Sequence, residues 1–334
     1  MRIKFKTRKT VVLLTMVTSI SLASCRQQQT PPEQATLRVG VYLAQDYLPF
    51  FVIQEQELDR KHGIRLVMQK KLYPGGAAVI EAIAAGSVDM GSAGSVPLIS
   101  AAAQGVVPGK VLAAAANNFA DPDHPASAVL AAFYVTGWKD LEGKLIAVNA
   151  VTSIQGVAVK GRLKMEKIQN YKLVEMSFAN MGLAVAGGNV AAAAMYEPFL
   201  SQSLLRRDGK ILGWIIGGPP FERMESTLIG FSADLYRNKP KTVKAFLRAY
   251  LQAVQWINQN PDRARSVLAK WMELSGEVGR KIKLLRWPLD GRSDPASLEQ
   301  IQSVMTDVGM LKAKIPTRQI YDETLLEEVL TERR

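Results

Sequence analysis

What most restricts the fold of this chain is a rhythm that runs from Thr36 and then restarts. Leu37-Arg-Val-Gly-Val-Tyr-Leu43 alternates apolar and polar residues with β-branched content, as a half-buried strand does. A loop at Ala44–Pro49 follows, then a helical stretch from Phe50 to Lys61 stopped by His62-Gly63, a C-terminal glycine signal. Ile64-Arg-Leu-Val-Met68 is a second strand, Leu72–Gly76 a second loop, Ala77–Ala85 a second helix, and Val88-Asp-Met90 a third short strand. Strand, loop and helix in that order imply parallel pairing with right-handed crossovers. Strands at Val111–Ala116 and Ala128–Val135 flank the turn-rich Asn117–Pro125, and the rhythm then resumes. Lys144–Val148 is a strand, Asn149–Gln155 a loop and Gly156–Lys167 a helix, with Lys172–Met176 and Gly188–Met195 continuing the alternation. Two α/β lobes joined by extended crossings, with a cleft between them, are the expected architecture. The tail is helical: Val243, Phe246, Leu247, Tyr250, Leu251, Val254 and Ile257 form one buried stripe, and a second helix after Asn260-Pro261 carries Val267, Leu268, Trp271 and Met272.

The N-terminus bears on location. Arg2, Lys4, Lys6, Arg8 and Lys9 precede an apolar run from Val11 to Ala23, too short against the ~20 residues of a membrane span and shaped like a secretory signal. It ends in Leu22-Ala-Ser-Cys25, which resembles a bacterial lipobox, so residues 1–24 are read as a lipoprotein signal peptide. Cys25 is then the acylated first mature residue, and 25–36 a flexible tether. Two acyl chains anchor a protein stably. Arg26 rather than Asp follows Cys25, which leaves the choice between inner and outer membrane open.

Inventory removes most chemistry. Cys25 is the single cysteine, which leaves no disulfide, cysteine-based zinc site or iron–sulfur cluster. The two histidines, His62 beside a glycine and His124 in a turn, read as surface residues, so no metal site, metal cofactor or catalytic triad is expected. There is no phosphate loop and no dinucleotide fingerprint. The net charge of +12 is scattered, five of its bases lie in the leader, and no basic run alternates with aromatics, so nucleic acid is not an expected partner. Glu222 and Glu225 beside Arg223 read as a polar loop.

Six stretches in fixed order carry a resemblance: "ELDRKHGIRLVM", "EAIAAGSVDMGSAGSVPLISAAAQG", "WKDLEGKLIAV", "GGNVAAAAMYEPF" and "NKPKTVKAFLRAYLQAVQWINQNP" after the opening strand Leu37–Val41. From about Leu37 to about Ala264 the chain resembles the substrate-binding proteins of bacterial ABC importers of the nitrate/sulfonate/taurine type, a group that includes binders of bicarbonate and of thiamin-precursor pyrimidines. The resemblance implies a type II periplasmic-binding fold. Lobe 1 would comprise 37–120 and 230–334, and lobe 2 would comprise 121–229. It also implies a monomer that binds a small polar or anionic solute, delivers it to a permease and its ATPase, and performs no chemistry. An enzyme on the same fold, of the thiamin-pyrimidine type, would need the histidine and cysteine-rich segment this chain lacks. A sensory or docking lipoprotein with a degenerate cleft is the third reading.

The family pattern points to Gln45, Asp46 and Tyr47 after the first strand, to Gly76, and to Tyr196 with Glu197 in "MYEP", where relatives read "WEP". Helix N-termini at a cleft supply free N–H groups. That places Ser92, Gly94 and Ser95 on one side and Thr152, Ser153 and Gln155 on the other. Ser92 and Ser95 could equally cap the helix near Pro97, Glu197 could serve a loop network, and Asp46 could be a solvated turn residue or the partner of an amine. Ile154 makes the second-lobe loop more apolar than a nitrate-sized guest needs.

Overall fold

Leu37 and Val39 turn inward while Thr36 and Arg38 face out, and that alternation makes Ala35–Val41 the first strand, β1. The computed structural model describes residues 34–107 and 109–332, without the side chains of residues 70–72. The expected signal peptide, the expected lipidation at Cys25 and most of the expected tether lie outside the described residues. In chain order there follow α1 (Leu48–Glu55), α2 (Leu58–Lys61), β2 (Ile64–Leu72), α3 (Gly76–Ala84), β3 (Met90–Gly94), α4 (Ser95–Ala103) and β4 (Val111–Ala120). The next group is β5 (Ser127–Ala131), β6 (Leu145–Val148), α5 (Ile154–Met165), β7 (Lys172–Glu175), α6 (Phe178–Ala186), β8 (Ala192–Tyr196), α7 (Phe199–Arg206) and β9 (Lys210–Ile216). β10 (Met224–Ser232) precedes the helical tail: α8 (Ala233–Asn238), α9 (Pro240–Gln259), α10 (Pro261–Trp271), α11 (Gly276–Lys281), α12 (Pro295–Asp307) and α13 (Thr324–Thr331).

Two five-stranded sheets result, in the orders β2-β1-β3-β10-β4 and β7-β6-β8-β5-β9. In the first, β1 runs parallel to β2 and β3, and β10 lies antiparallel between β3 and β4. The second repeats the plan: β6 is parallel to β7 and β8, and β5 is antiparallel to β8 and β9. The two α/β lobes are therefore built alike. The chain passes between them twice, at residues 121–126 and 217–223, so the return comes before the residue-230 boundary expected from sequence.

Three local expectations change. The helix expected over Phe50–Lys61 breaks at Glu57, which adopts a left-handed conformation (φ 51°). That turn buries Asp59, whose carboxylate accepts from Gln54 Nε2, Leu66 N and Arg60 N. The short strand expected over Val88–Met90 instead runs Met90–Gly94, is wholly buried at the centre of its sheet, and passes into α4 at Ser95 with no residue between. It is glycine-rich because there is no room: a Cβ at Gly91 would lie 2.7 Å from Val79 Cγ1 and 2.8 Å from the Gly40 carbonyl oxygen. Helix α6 occupies a stretch where the sequence carried no clear helical signal.

The tail covers the first lobe and reaches the second. Helix α9 buries the seven residues of the expected stripe, and Trp271 stacks on Phe51 with ring centroids 4.9 Å apart. Helix α12 packs against α4 of the first lobe and α5 of the second. Gly161 permits the latter approach, since a Cβ there would come within 2.9 Å of Pro220 and Val304.

Glu225, on the returning strand β10, is wholly buried and its backbone N–H donates to Ser297 Oγ. Its carboxyl faces the start of α12, where Ser293 Oγ lies 2.6 Å and Asp294 N 2.8 Å from Oε2. Burial, aided by the nearby Glu323 and Asp294, pushes its pKa up to about 8 from 4.5. Above 4.5 the unfolded chain gives up this proton while the folded chain keeps it, so folding loses its advantage. The stabilising contribution is full below pH 4.5 and is gone once pH rises through about 8. Chemical denaturation from pH 5 to 9 is expected to show stability falling across this window, and Glu225→Gln is expected to flatten that part of the curve.

Candidate functional site

The C-terminal ends of the parallel strands in both sheets face a common cleft, and the helices that follow open their N-termini onto it. This is where doubly wound sheets place a ligand, because unpaired N–H groups and the helix dipole converge there. Gly76 begins α3, Gly94 precedes α4, Ser153 precedes α5 and Ser177 precedes α6. All four line one cavity of about 770 Å³. Its walls include the side chains of Tyr42, Tyr73, Ile154, Met176, Phe178 and Phe199. Among the described side chains its charged members are Asp46, Glu81 and Glu175. Glu175 accepts a 2.7 Å hydrogen bond from Val151 N and so holds the second-lobe loop.

Asp46 lies at the base of the cleft, 3% exposed. Its Oδ1 accepts from Tyr196 OH at 2.6 Å and Asn118 Nδ2 at 2.9 Å, and its Oδ2 from Tyr42 OH at 2.5 Å. Burial raises its pKa and the three donors oppose that rise. Burial and the adjacent carboxylate push the Tyr42 and Tyr196 hydroxyls well above their usual range, so both remain donors. Hydrogen bonds to a charged acceptor contribute roughly 1.5–3 kcal/mol each, which makes this cluster rigid. Beneath it, Asn117 Nδ2 donates to the Asp46 carbonyl (3.0 Å), Ser92 Oγ (2.9 Å) and Thr227 Oγ1 (3.0 Å), and its Oδ1 accepts from Tyr250 OH of α9 (3.0 Å).

Of the positions singled out from sequence, Asp46, Gly76, Gly94, Thr152, Ser153, Gln155 and Tyr196 line the cavity. Asp46 is not a solvated turn residue but a buried carboxylate. The other five spend their side chains inside the protein. Gln45 is fully buried and Oε1 accepts from Leu285 N at 3.2 Å. Tyr47 is also fully buried and donates to the Gly40 carbonyl at 2.6 Å. Ser92 Oγ is taken by Asn117, and Ser95 Oγ donates to the Ser226 carbonyl at 3.2 Å. Neither serine caps α4, because a strand that enters its helix directly buries the residues at the junction. Glu197 accepts from Ser201 N (3.1 Å) and Ser201 Oγ (2.9 Å), which ties the start of α7. Ser153 has a structural duty as well: its Oγ accepts from Gly156 N at 3.1 Å as the N-cap of α5, so altering it costs about 1 kcal/mol.

The sequence reading missed Tyr42, Tyr73, Phe178, Ser226 and Thr227, all of which line the cavity. Ser226 is the notable omission. β10 pairs Glu225 with Phe119 and Thr227 with Asn118, so Ser226 is the extra residue of a β-bulge. A bulge re-aims side chains that would alternate in a regular strand, and here Ser226 and its neighbour Thr227 both meet the cavity. Ser226 is 2% exposed and its hydroxyl has no hydrogen-bond partner in the protein. The available signal was a polar Glu-Ser-Thr at the head of an otherwise apolar strand.

Similar proteins agree with this architecture. A protein of Brachyspira hyodysenteriae described as an ABC transporter periplasmic binding protein is 23% identical over 289 residues, covering 81% of each chain. The periplasmic aliphatic sulphonate binding protein of Escherichia coli superposes with a TM-score of 0.67 at 20% identity, over 86% of this chain and 92% of that one. The periplasmic nitrate-binding protein of Synechocystis gives 0.73 at 16% identity, over 91% and 90%. These likenesses establish the two-lobed periplasmic-binding fold expected from the ordered motifs. The NMT1-like family matches residues 30–273, most of the chain, and the protein therefore belongs to the NMT1-like family.

Proposed function

We propose that this chain is the solute-binding receptor of an ABC importer. Tethered to the membrane through acylated Cys25, it captures a small organic solute between its lobes and hands it unaltered to a permease. The observation that carries this reading is the cavity of about 770 Å³ between the lobes, ringed by helix N-termini from both. That volume is within the roughly 300–1,000 Å³ of small-molecule sites and far exceeds what nitrate or bicarbonate would fill. The helix N-termini suit a polar or anionic head bearing acceptor oxygens, as in a sulfonate, taurine or a heterocyclic carbonyl. Tyr42, Tyr73, Phe178 and Phe199 suit an apolar or aromatic body. We assign the unpartnered Ser226 hydroxyl to the head as a direct contact.

A thermal-shift screen of alkyl and aryl sulfonates, taurine, nitrate, bicarbonate and pyrimidines tests the reading. A solute at 100 times its Kd is expected to add about 2.7 kcal/mol of stability, with the organic members shifting the melt, nitrate and bicarbonate leaving it unmoved, and every solute recovered intact. A melt unmoved by all of them would remove the receptor role, and turnover would remove the binding-only role.

For the best binder, Ser226→Ala is expected to weaken affinity by roughly 2- to 10-fold, the worth of one neutral hydrogen bond. The melting temperature without solute should hardly change, because that hydroxyl has no partner to lose. Isothermal titration calorimetry reads the difference, and an unchanged Kd would remove Ser226 from the contact.

A further inference from the structure

Large apolar side chains left in water gather at one end of this protein. Among the described residues ten are exposed, and eight of them lie between positions 133 and 211 of the second lobe. The topology sends all eight to the end away from the cleft. The parallel strands of the second sheet run toward the cleft, so Leu145 at the start of β6 stands at the far end. β5 runs against β8 and finishes there, which carries Phe133 and Tyr134 out beyond Ala131, and β9 begins beside it with Lys210 and Ile211. Helices α5, α6 and α7 start at the cavity and hold Met165, Leu183, Leu204 and Leu205 in their outer halves. Phe133, Tyr134, Met165 and Leu183 are each 58–61% exposed. These pieces are packed together: a Cβ on Gly209 would lie 2.5 Å from the Ala131 carbonyl oxygen and 3.2 Å from Val185 Cγ1 of α6. Ahead of β6 and β7, Gly143 N donates to the Asn170 carbonyl.

The same end is basic. The stretches 139–145, 164–172 and 206–211 hold eight Lys or Arg and four Asp or Glu. The acids are engaged by the protein: Asp208 with Arg206 (2.6 Å), Glu166 with Arg162 (2.8 Å), Glu142 with Asn170 N (3.0 Å) and Asp140 with Thr136 Oγ1 (2.7 Å). Lys144, Lys167, Lys172 and Arg207 are exposed and form no ion pair among the described residues. We propose that the outer end of the second lobe is a docking surface for an anionic membrane. Its projecting apolar side chains enter the boundary between headgroups and acyl chains, and its bases meet the lipid phosphates. A protein partner fits less well, because protein interfaces deplete charge, lysine above all, from their centres. Here Lys144 adjoins Leu145, Lys164 adjoins Met165, Arg206 adjoins Leu205 and Lys210 adjoins Ile211. A layer of headgroups accepts that interleaving. The contact needs neither a solute nor an acylated Cys25, so it stands or falls separately from the receptor reading.

The test reads the two ends of the protein against vesicles. Cys25 is the only cysteine, so the full chain with Cys25→Ser takes one polarity-sensitive fluorophore, at Asn189→Cys in the turn between α6 and β8 or at Ser87→Cys between α3 and β3 of the first lobe. Both positions are exposed. The two proteins share residues 1–33, so a difference between the labels reports the lobes themselves. With vesicles of phosphatidylcholine and phosphatidylglycerol, emission at 189 is expected to shift to the blue and rise roughly twofold, while the label at 87 stays unmoved. Phosphatidylcholine alone is expected to give little response. The pair Lys144→Glu and Lys172→Glu is expected to abolish the rise at 189, and so is the pair Phe133→Ser and Leu183→Ser, each with the parent's melting temperature. No change at 189, an equal change at 87, or the same response on neutral vesicles would each overturn the membrane contact. So would a dimer in sedimentation without lipid that already shields the label at 189, since the occupant would then be a second copy of the chain.

Discussion

Everything here depends on the exchange of one strand in each direction between the two halves of the chain. β10 returns from the second lobe and fills the gap between β3 and β4, and β5 leaves the first lobe to fill the gap between β8 and β9. Both are interior strands, hydrogen-bonded along both edges and buried on both faces, so neither sheet closes without chain that has passed through the other lobe. Small residues make the insertion feasible. β8 reads Ala-Ala-Ala-Met-Tyr, β4 carries the alanine run Ala113–Ala116, and β3 is Met-Gly-Ser-Ala-Gly, all buried. The cleft lies where these interior strands end, and its geometry follows from the exchange.

The polar residues of the site are a by-product of that burial. Asn117, Asn118 and Thr227 sit at neighbouring positions of β4 and β10, where backbone pairing leaves their side chains no water to bond. They satisfy one another, Asp46 and Ser92 instead. A buried network that is almost fully satisfied specifies one arrangement, and Asn118 Oδ1 is the atom of it left without a partner.

Alternation and helix-stop signals were enough to place most strands and helices, because hydrophobic period and glycine punctuation are local properties. What they could not show was non-local. The expected third strand stopped at Met90, and only the closeness of Val79 and Gly40 makes the glycine at 91 a requirement of a central strand that runs on to Gly94. Ser92 and Ser95 were legible as polar residues near the cleft, but their direction depends on partners 25 and 131 residues away. Tyr42, Tyr73 and Ser226 carried no motif. Their roles come from standing just past the ends of β1 and β2 and in a bulge, none of which a residue pattern encodes.

The hydroxyl of Tyr250 gives the outer helix α9 a share in the cleft. It donates to Asn117 Oδ1, whose amide in turn supports the Asp46 backbone and Thr227. A side chain on an outer helix is thus two hydrogen bonds from Asp46 and Thr227 in the cavity wall. The cavity wall is not held by its own residues alone. Its support extends outward through the amide of one asparagine to the helical tail, which thereby does more than cover the sheet.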